Sequence, residues 1–142
     1  MGELRTMVET HYRGVSEGDL DLAASVFAPD VVTIDPGVGR MDGLDAFRAY
    51  GETFLRAFPD GRLTADRVVA ETADAIVVEG RFSGTQTGPL AGPDGDIPPT
   101  GRRLELPFVD VFDARDGRFV EHHTYYDQMA LLGQLGLVPA PA

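Results

Sequence analysis

The stretch FVDVFDARDGRFVEHHTYYDQ, residues 108–128, reads as two β-strands around a tight turn. Phe, Val and Tyr alternate with polar residues on either side of ARDGR, which is the period of half-buried strands. Gly117 suits the left-handed position of a three-residue hairpin loop closed by a bulge. That loop makes Ala114 and Arg118 the closing pair and sets Phe112 opposite Val120, Asp110 opposite His122, Phe108 opposite Thr124 and Leu106 opposite Tyr126. Residues opposite one another share a face. One face then carries Leu104, Leu106, Phe108, Asp110, Phe112, Val120, His122, Thr124 and Tyr126, and the other carries Arg103, Glu105, Pro107, Val109, Glu121, His123 and Tyr125. The first is apolar apart from a few groups, so it is the covered face. A two-residue turn at Asp116 and Gly117 would pair Asp110 with His123 instead. The three-residue loop is the expectation, and it turns Asp110 and His122 inward and His123 outward.

A carboxylate facing an imidazole among Phe, Leu and Tyr side chains can work as an acid/base device. Burial raises a carboxylate's pKa and a partnered imidazolium lowers it, so such a pair can hold a mobile proton. The plain alternative is an ion pair that satisfies two buried polar groups. A concave sheet, where pockets form, brings the two readings level.

Upstream of this hairpin the pattern changes from strand to helix. Leu4, Met7, Val8, Tyr12 and Val15 fall at helical spacing up to about Gly18. Asp19 can cap a short second helix bearing Leu22, Ala23, Val26 and Phe27. PDVVTIDPG is a short strand. A third helix starts near Asp42, carries Phe47, Gly51, Phe54 and Phe58 on one face, and stops at Pro59. Strands follow at about 61–72, 75–88, 102–114 and 118–126, with the Pro/Gly-rich GPLAGPDGDIPPTG bridging the middle pair to the last. Asp127 caps a closing helix at about 128–135. Helices first and strands afterwards predict an α+β domain, with helices packed on one face of a curved antiparallel sheet.

The chain has 142 residues, one domain's length, read as a single unit over 1–138 with a tail at 139–142. A net charge of -11 argues against nucleic acid or an anionic membrane as partner. With no cysteine there is no disulfide, thiolate nucleophile or thiolate metal site. No apolar run approaches the roughly 20 residues that span a bilayer, and no signal peptide is visible. A cytoplasmic location is expected.

Other polar residues carry weaker signals. His122 and His123 point to opposite faces of one strand and cannot share a metal ion. Gly80, Gly84 and Gly88 recur on one side of a strand, where they relieve sheet bending or close helix packing. Gln86 shares that side and could add an amide to a pocket rim. Thr33 and Asp35 share one face of the first strand and are candidate pocket groups. Phe47, Phe54 and Phe58 read as core.

The order helix, helix, strand, long helix and long antiparallel strands resembles the nuclear transport factor 2-like cone. Within it GRFSGTQTG, IPPTGRRLELPFVDVF and DGRFVEHHTYYDQMALLGQLGL resemble the SnoaL-like polyketide cyclase and ester cyclase group. The resemblance runs over nearly the whole chain and is densest from about residue 79 to 137. It implies an intramolecular aldol ring closure without metal or cofactor, in which an Asp removes an activated proton and polar pocket groups stabilise the enolate. The cyclase Asp of the last strand falls at Thr124 here, and the His of the preceding strand at Asp110. An Asn of the first strand falls at Thr33, and a Gln of the preceding strand at Phe108. An Asp and a His are thus retained, but not at the cyclase's positions.

The expected function is therefore that of a cofactor-free, SnoaL-like small-molecule enzyme. Asp110 is its base and His122 the partner, with Phe108, Phe112, Thr124, Tyr126, Gln86 and Thr33 as pocket residues. Proton abstraction beside a carbonyl, giving cyclisation or isomerisation, is the expected chemistry. Water activation on an epoxide or ester, and small-ligand binding without turnover, are the competing readings. The expected partner is a small hydrophobic or polyketide-like molecule. The resemblance also implies a homodimer through the outer sheet face, to which Val109 and Val111 could contribute.

Overall fold

Helix α1, Glu3–Ser16, buries Leu4, Val8, His11 and Tyr12 along one stripe and packs against the sheet. This is the computed structural model of the chain, which describes residues 2–92 and 94–139. Most of the expected tail lies outside the described residues. Helix α2, Leu20–Ala24, is capped by the Asp19 carboxylate, which accepts from the Leu22 N–H at 3.0 Å. Helix α3, Leu44–Ala57, follows the turn at Gly43 and ends before Pro59, whose ring forces the preceding residue out of the helical region. Helix α4, Gln128–Gln134, is capped by Asp127 through the Ala130 N–H at 3.0 Å.

Among the described residues there are eight strands: β1 Phe27–Asp35, β2 Gly39–Asp42, β3 Arg62–Glu71, β4 Ala75–Thr85, β5 Leu90–Gly92, β6 Gly95–Ile97, β7 Arg103–Arg115 and β8 Arg118–Tyr126. Six form one sheet in the order β2-β1-β8-β7-β4-β3, and β5 and β6 pair separately. All pairings are antiparallel except β1 with β8, which run parallel. The chain thus has helices against a curved, mainly antiparallel sheet. Three short strands are additions to the sequence reading: β2, and the pair β5 and β6 inside the Pro/Gly-rich stretch. Each is only three or four residues long, too short to show a period.

Alternation on β4 and β7 is strict. Ile76, Val78 and Phe82 on β4 and Leu104, Leu106, Phe108 and Phe112 on β7 are buried, while Arg81, Arg103, Glu105 and Pro107 are exposed. The buried set meets Val8, Phe27, Phe58 and Leu135 in one core.

The β7–β8 turn differs from the expectation. The loop has two residues, Asp116 and Gly117, both at positive φ (53° and 76°), between the pair Arg115 and Arg118. Positive φ at both positions matches the right-handed twist of the strands, and a short Asp side chain tolerates it. A bulge between Asp113 and Ala114 then leaves Val120 without a partner, half-buried, while Phe119 takes the inward position. The extra residue restores the inward and outward alternation beyond it. Asp110 and His122 therefore do face the same way, but Asp110 lies opposite Thr124 and His122 opposite Phe112. Phe108 lies opposite Tyr126.

Candidate active site

Between the concave sheet face and α1, α3 and α4 lies a cavity of about 140 Å³. An apolar cavity of about 150 Å³ holds benzene, so this one matches a single ring. Leu63, Phe82, Leu106 and Phe108 from the sheet and Phe47, Phe54 and Leu55 from α3 supply the apolar wall. Polar groups converge from His11, Asp35, Tyr50, Asp110, His122, Thr124 and Tyr126.

Asp110 is the most constrained of these. Its Oδ1 lies 3.1 Å from His122 Nε2, and its Oδ2 accepts the Tyr12 hydroxyl at 2.5 Å. Burial works to raise the Asp110 pKa. The electrostatic effect of the neighbouring His122, with hydrogen bonds from His122, Tyr12 and Thr124, outweighs burial and holds the carboxyl below the usual carboxylate range. An ionised carboxylate only accepts, so Nε2 of His122 carries the proton of their shared bond. The His122 ring is fixed from behind by Phe112, parallel within 7° at a centroid distance of 4.4 Å. Burial, then the neighbouring Asp110 charge, raises the Tyr12 phenol far above its ordinary value, so Tyr12 remains a donor.

A second carboxylate, Asp35, stands at the end of β1. Its Oδ1 accepts the N–H groups of Gly37 and Val38 at 2.7 and 3.2 Å and the Tyr126 hydroxyl at 2.9 Å, and its Oδ2 accepts the Tyr50 hydroxyl at 3.2 Å. Burial and the charge of Asp35 push both phenols upward. The cavity therefore has two carboxylates, Asp110 bonded to one tyrosine hydroxyl and Asp35 to two.

The sequence-predicted residues divide into two sets. Asp110, His122, Phe108, Thr124 and Tyr126 line the cavity. Phe112 does not: it lies behind His122, fully buried against Phe27 and Phe119. Gln86 is also fully buried, but away from the cavity. Its amide donates to the carbonyls of Gly88 and Pro98, both at 3.2 Å, and accepts the Thr100 hydroxyl at 2.7 Å, tying the 86–100 loop together. The strand had ended at Thr85, so its alternation no longer set where Gln86 points. Thr33 is buried beside His122 in the parallel β1–β8 register and does not line the cavity. Thr33 Oγ1 and His122 Nδ1 have no hydrogen-bond partner among the described residues. His123, on the outer face, bonds to Glu121 at 2.8 Å.

Tyr12, His11 and Tyr50 were missed as polar site residues. Tyr12 fell in the apolar stripe of α1, and the available signal was its hydroxyl, which needs a partner when buried. The glycines of β4 and its continuation are close-packing positions. A Cβ at Gly80 would lie 2.6 Å from the Phe108 ring and 2.5 Å from the Thr64 carbonyl, and one at Gly88 would lie 2.0 Å from the Arg56 carbonyl. Among the described residues no group of three His, Asp or Glu side chains is arranged to hold a metal ion. No helix among them is long and apolar enough to cross a membrane.

The model of the SnoaL-like polyketide cyclase family matches residues 5–135. The chain belongs to the SnoaL-like polyketide cyclase family. Its fold is the nuclear transport factor 2-like cone. Among solved structures, TsrD from Streptomyces laurentii is 30% identical with a TM-score of 0.83, over 96% of this chain and 97% of that one. AclR from Streptomyces galilaeus, a proposed hydroxylase, is 25% identical with a TM-score of 0.83, over 100% of this chain and 86% of that one. IdmH from Streptomyces antibioticus, a proposed polyketide cyclase, is 28% identical with a TM-score of 0.77, over 93% of this chain and 97% of that one. None of the curated proteins matches the chain.

Proposed function

We propose that this SnoaL-like protein is a small-molecule enzyme that removes a proton beside a ketone carbonyl, with Asp110 as the base and His122 as its partner. The enolate so formed closes a ring or returns the proton at another carbon. The observation that carries this reading is a buried carboxyl group, bonded to His122 and Tyr12, at the wall of an apolar cavity of one-ring size. Tyr12 and His122 hold its two oxygens in place, and desolvation sharpens every charge interaction there. The Thr124 hydroxyl lies across from Asp110 in register and lines the cavity. The reading calls for no organic cofactor.

The direct test is hydrogen–deuterium exchange at the α-carbon of one-ring cyclic ketones in deuterated water. The protein should accelerate exchange, and Asp110→Asn should reduce that acceleration by about 10²- to 10⁴-fold, the usual worth of general acid/base catalysis. Full activity in Asp110→Asn removes Asp110 from the role of base.

One observation favours ligand binding without turnover. Both Asp110 oxygens already accept protein donors, which weakens the carboxylate as a proton acceptor. On that reading ketones bind, but the unaltered protein gives no exchange above the solvent rate.

A further inference from the structure

His11 lines the same cavity but takes no part in the Asp110 pair. Its Nδ1 lies 3.0 Å from the Ala23 carbonyl oxygen. A carbonyl oxygen only accepts, so Nδ1 carries the ring proton and Nε2 is left as a lone-pair acceptor. Burial, then the electrostatic effect of the neighbouring His122, lowers the His11 pKa to about 4, against weaker opposing contributions from the Ala23 carbonyl and Asp110. The ring is therefore neutral at physiological pH. It is held edge-on to Phe27 at 4.9 Å and stands 6.2 Å from the His122 ring.

The carboxylate acceptors of the cavity are engaged. The oxygens of Asp110 and Asp35 receive Tyr12, His122, Tyr126, Tyr50 and two backbone N–H groups. His122 Nδ1 and Thr33 Oγ1 have no partner among the described residues, but both are closed off inside the protein. No donor among the described residues reaches His11 Nε2.

We propose that His11 is a specificity-determining residue whose Nε2 accepts a hydrogen bond from a hydroxyl on the ligand's ring. The substrate class is then a one-ring, hydroxyl-bearing molecule, phenolic or enolic, with its apolar edge toward Phe47 and Phe54. A hydroxyl without this acceptor would be desolvated for no return, and an ether in its place would set a lone pair against a lone pair. The inference rests on the cavity being the substrate site. It does not depend on Asp110 acting as base.

Three probes of nearly one shape separate the possibilities: phenol, anisole, which keeps the oxygen without the donor, and toluene. Affinities measured on the full chain by calorimetry should favour phenol over anisole by about tenfold, one good hydrogen bond's worth. In the unaltered protein, long-range ¹⁵N NMR of the His11 ring should show phenol, and neither other probe, shifting Nε2 away from its bare-nitrogen position. His11→Phe should erase the preference while still binding toluene. Equal affinities, an unmoved Nε2 resonance, or a phenol preference that survives in His11→Phe overturns the proposal. Those outcomes leave the Asp110 reading intact, since α-carbon exchange decides that separately. If none of the three probes binds, the proposal for His11 fails, and α-carbon exchange still decides the Asp110 reading.

Discussion

The Tyr12 hydroxyl, on the first helix, donates to Asp110 Oδ2 at 2.5 Å across 98 positions of sequence. This bond joins α1 to the middle of the sheet and helps hold a buried carboxylate ionised. Tyr12→Phe keeps the ring and removes the donor. A hydrogen bond to a charged group contributes about 1.5–3 kcal/mol, so the variant should lose that much stability at pH 7. The pH dependence has a definite sign. A carboxyl whose folded pKa lies below its unfolded value stabilises the fold above the usual carboxylate range and loses that contribution as pH falls through the folded pKa. The gap between the two proteins should therefore narrow as denaturation is repeated below about pH 4. A gap unchanged with pH would mean that Tyr12 contributes packing alone.

Asp110 and His122 should behave as one unit. Removing one partner of a buried ion pair leaves the other uncompensated, at about 3–5 kcal/mol. Asp110→Asn and His122→Gln should each destabilise, and the double variant should be more stable than the sum of the two losses allows, by about 0.5–3 kcal/mol of coupling. Exchange rates should follow the same logic, with the double variant little slower than the worse single. Strict additivity in urea unfolding, or in rate, would separate the two residues.

His11 should make the protein acid-sensitive over a defined window. Its folded pKa of about 4 lies below the ordinary histidine value of 6.5. The unfolded chain then binds a proton that the folded one refuses, so stability is complete above about pH 6.5 and falls as pH drops toward 4. Between pH 7 and pH 4.5 that loss is about 2–3 kcal/mol. His122 from β8 and Asp110 from β7 are the titratable groups that face it, and the Asp110 contribution falls away at lower pH. Denaturation of His11→Phe over the same interval should show a much flatter slope. An equal slope in both proteins would place the acid sensitivity elsewhere.

Gln86 should matter to the fold and not to the cavity. Gln86→Ala strips partners from the Gly88 and Pro98 carbonyls and from Thr100, and leaves a void in a fully buried position. Loss of about 2–4 kcal/mol in thermal or urea unfolding is expected. Phenol affinity should stay within twofold. A large change in affinity with an unchanged melting temperature would instead return Gln86 to the pocket rim.

Sequence period alone determined the helices α1 and α3, the long strands and the inward direction of Asp110 and His122. Each follows from where neighbouring apolar residues must go: a stripe every three to four residues on α1, and every second residue on β7. Those patterns are local, and burial enforces them. The partners were decided only by tertiary structure. The Asp116–Gly117 turn and its bulge changed the residue opposite Asp110 from His122 to Thr124 while keeping the face, because two irregularities of one residue offset each other. Tyr12 reads as one more apolar position on α1 until the sheet curls Asp110 beneath it. Asp35 acquires Tyr50 and Tyr126 only when α3 and β8 meet at the end of β1. Period fixes the direction of a side chain. What it meets depends on distances set by the whole fold, and hydrogen bonds and pKa values depend on those distances to within an ångström.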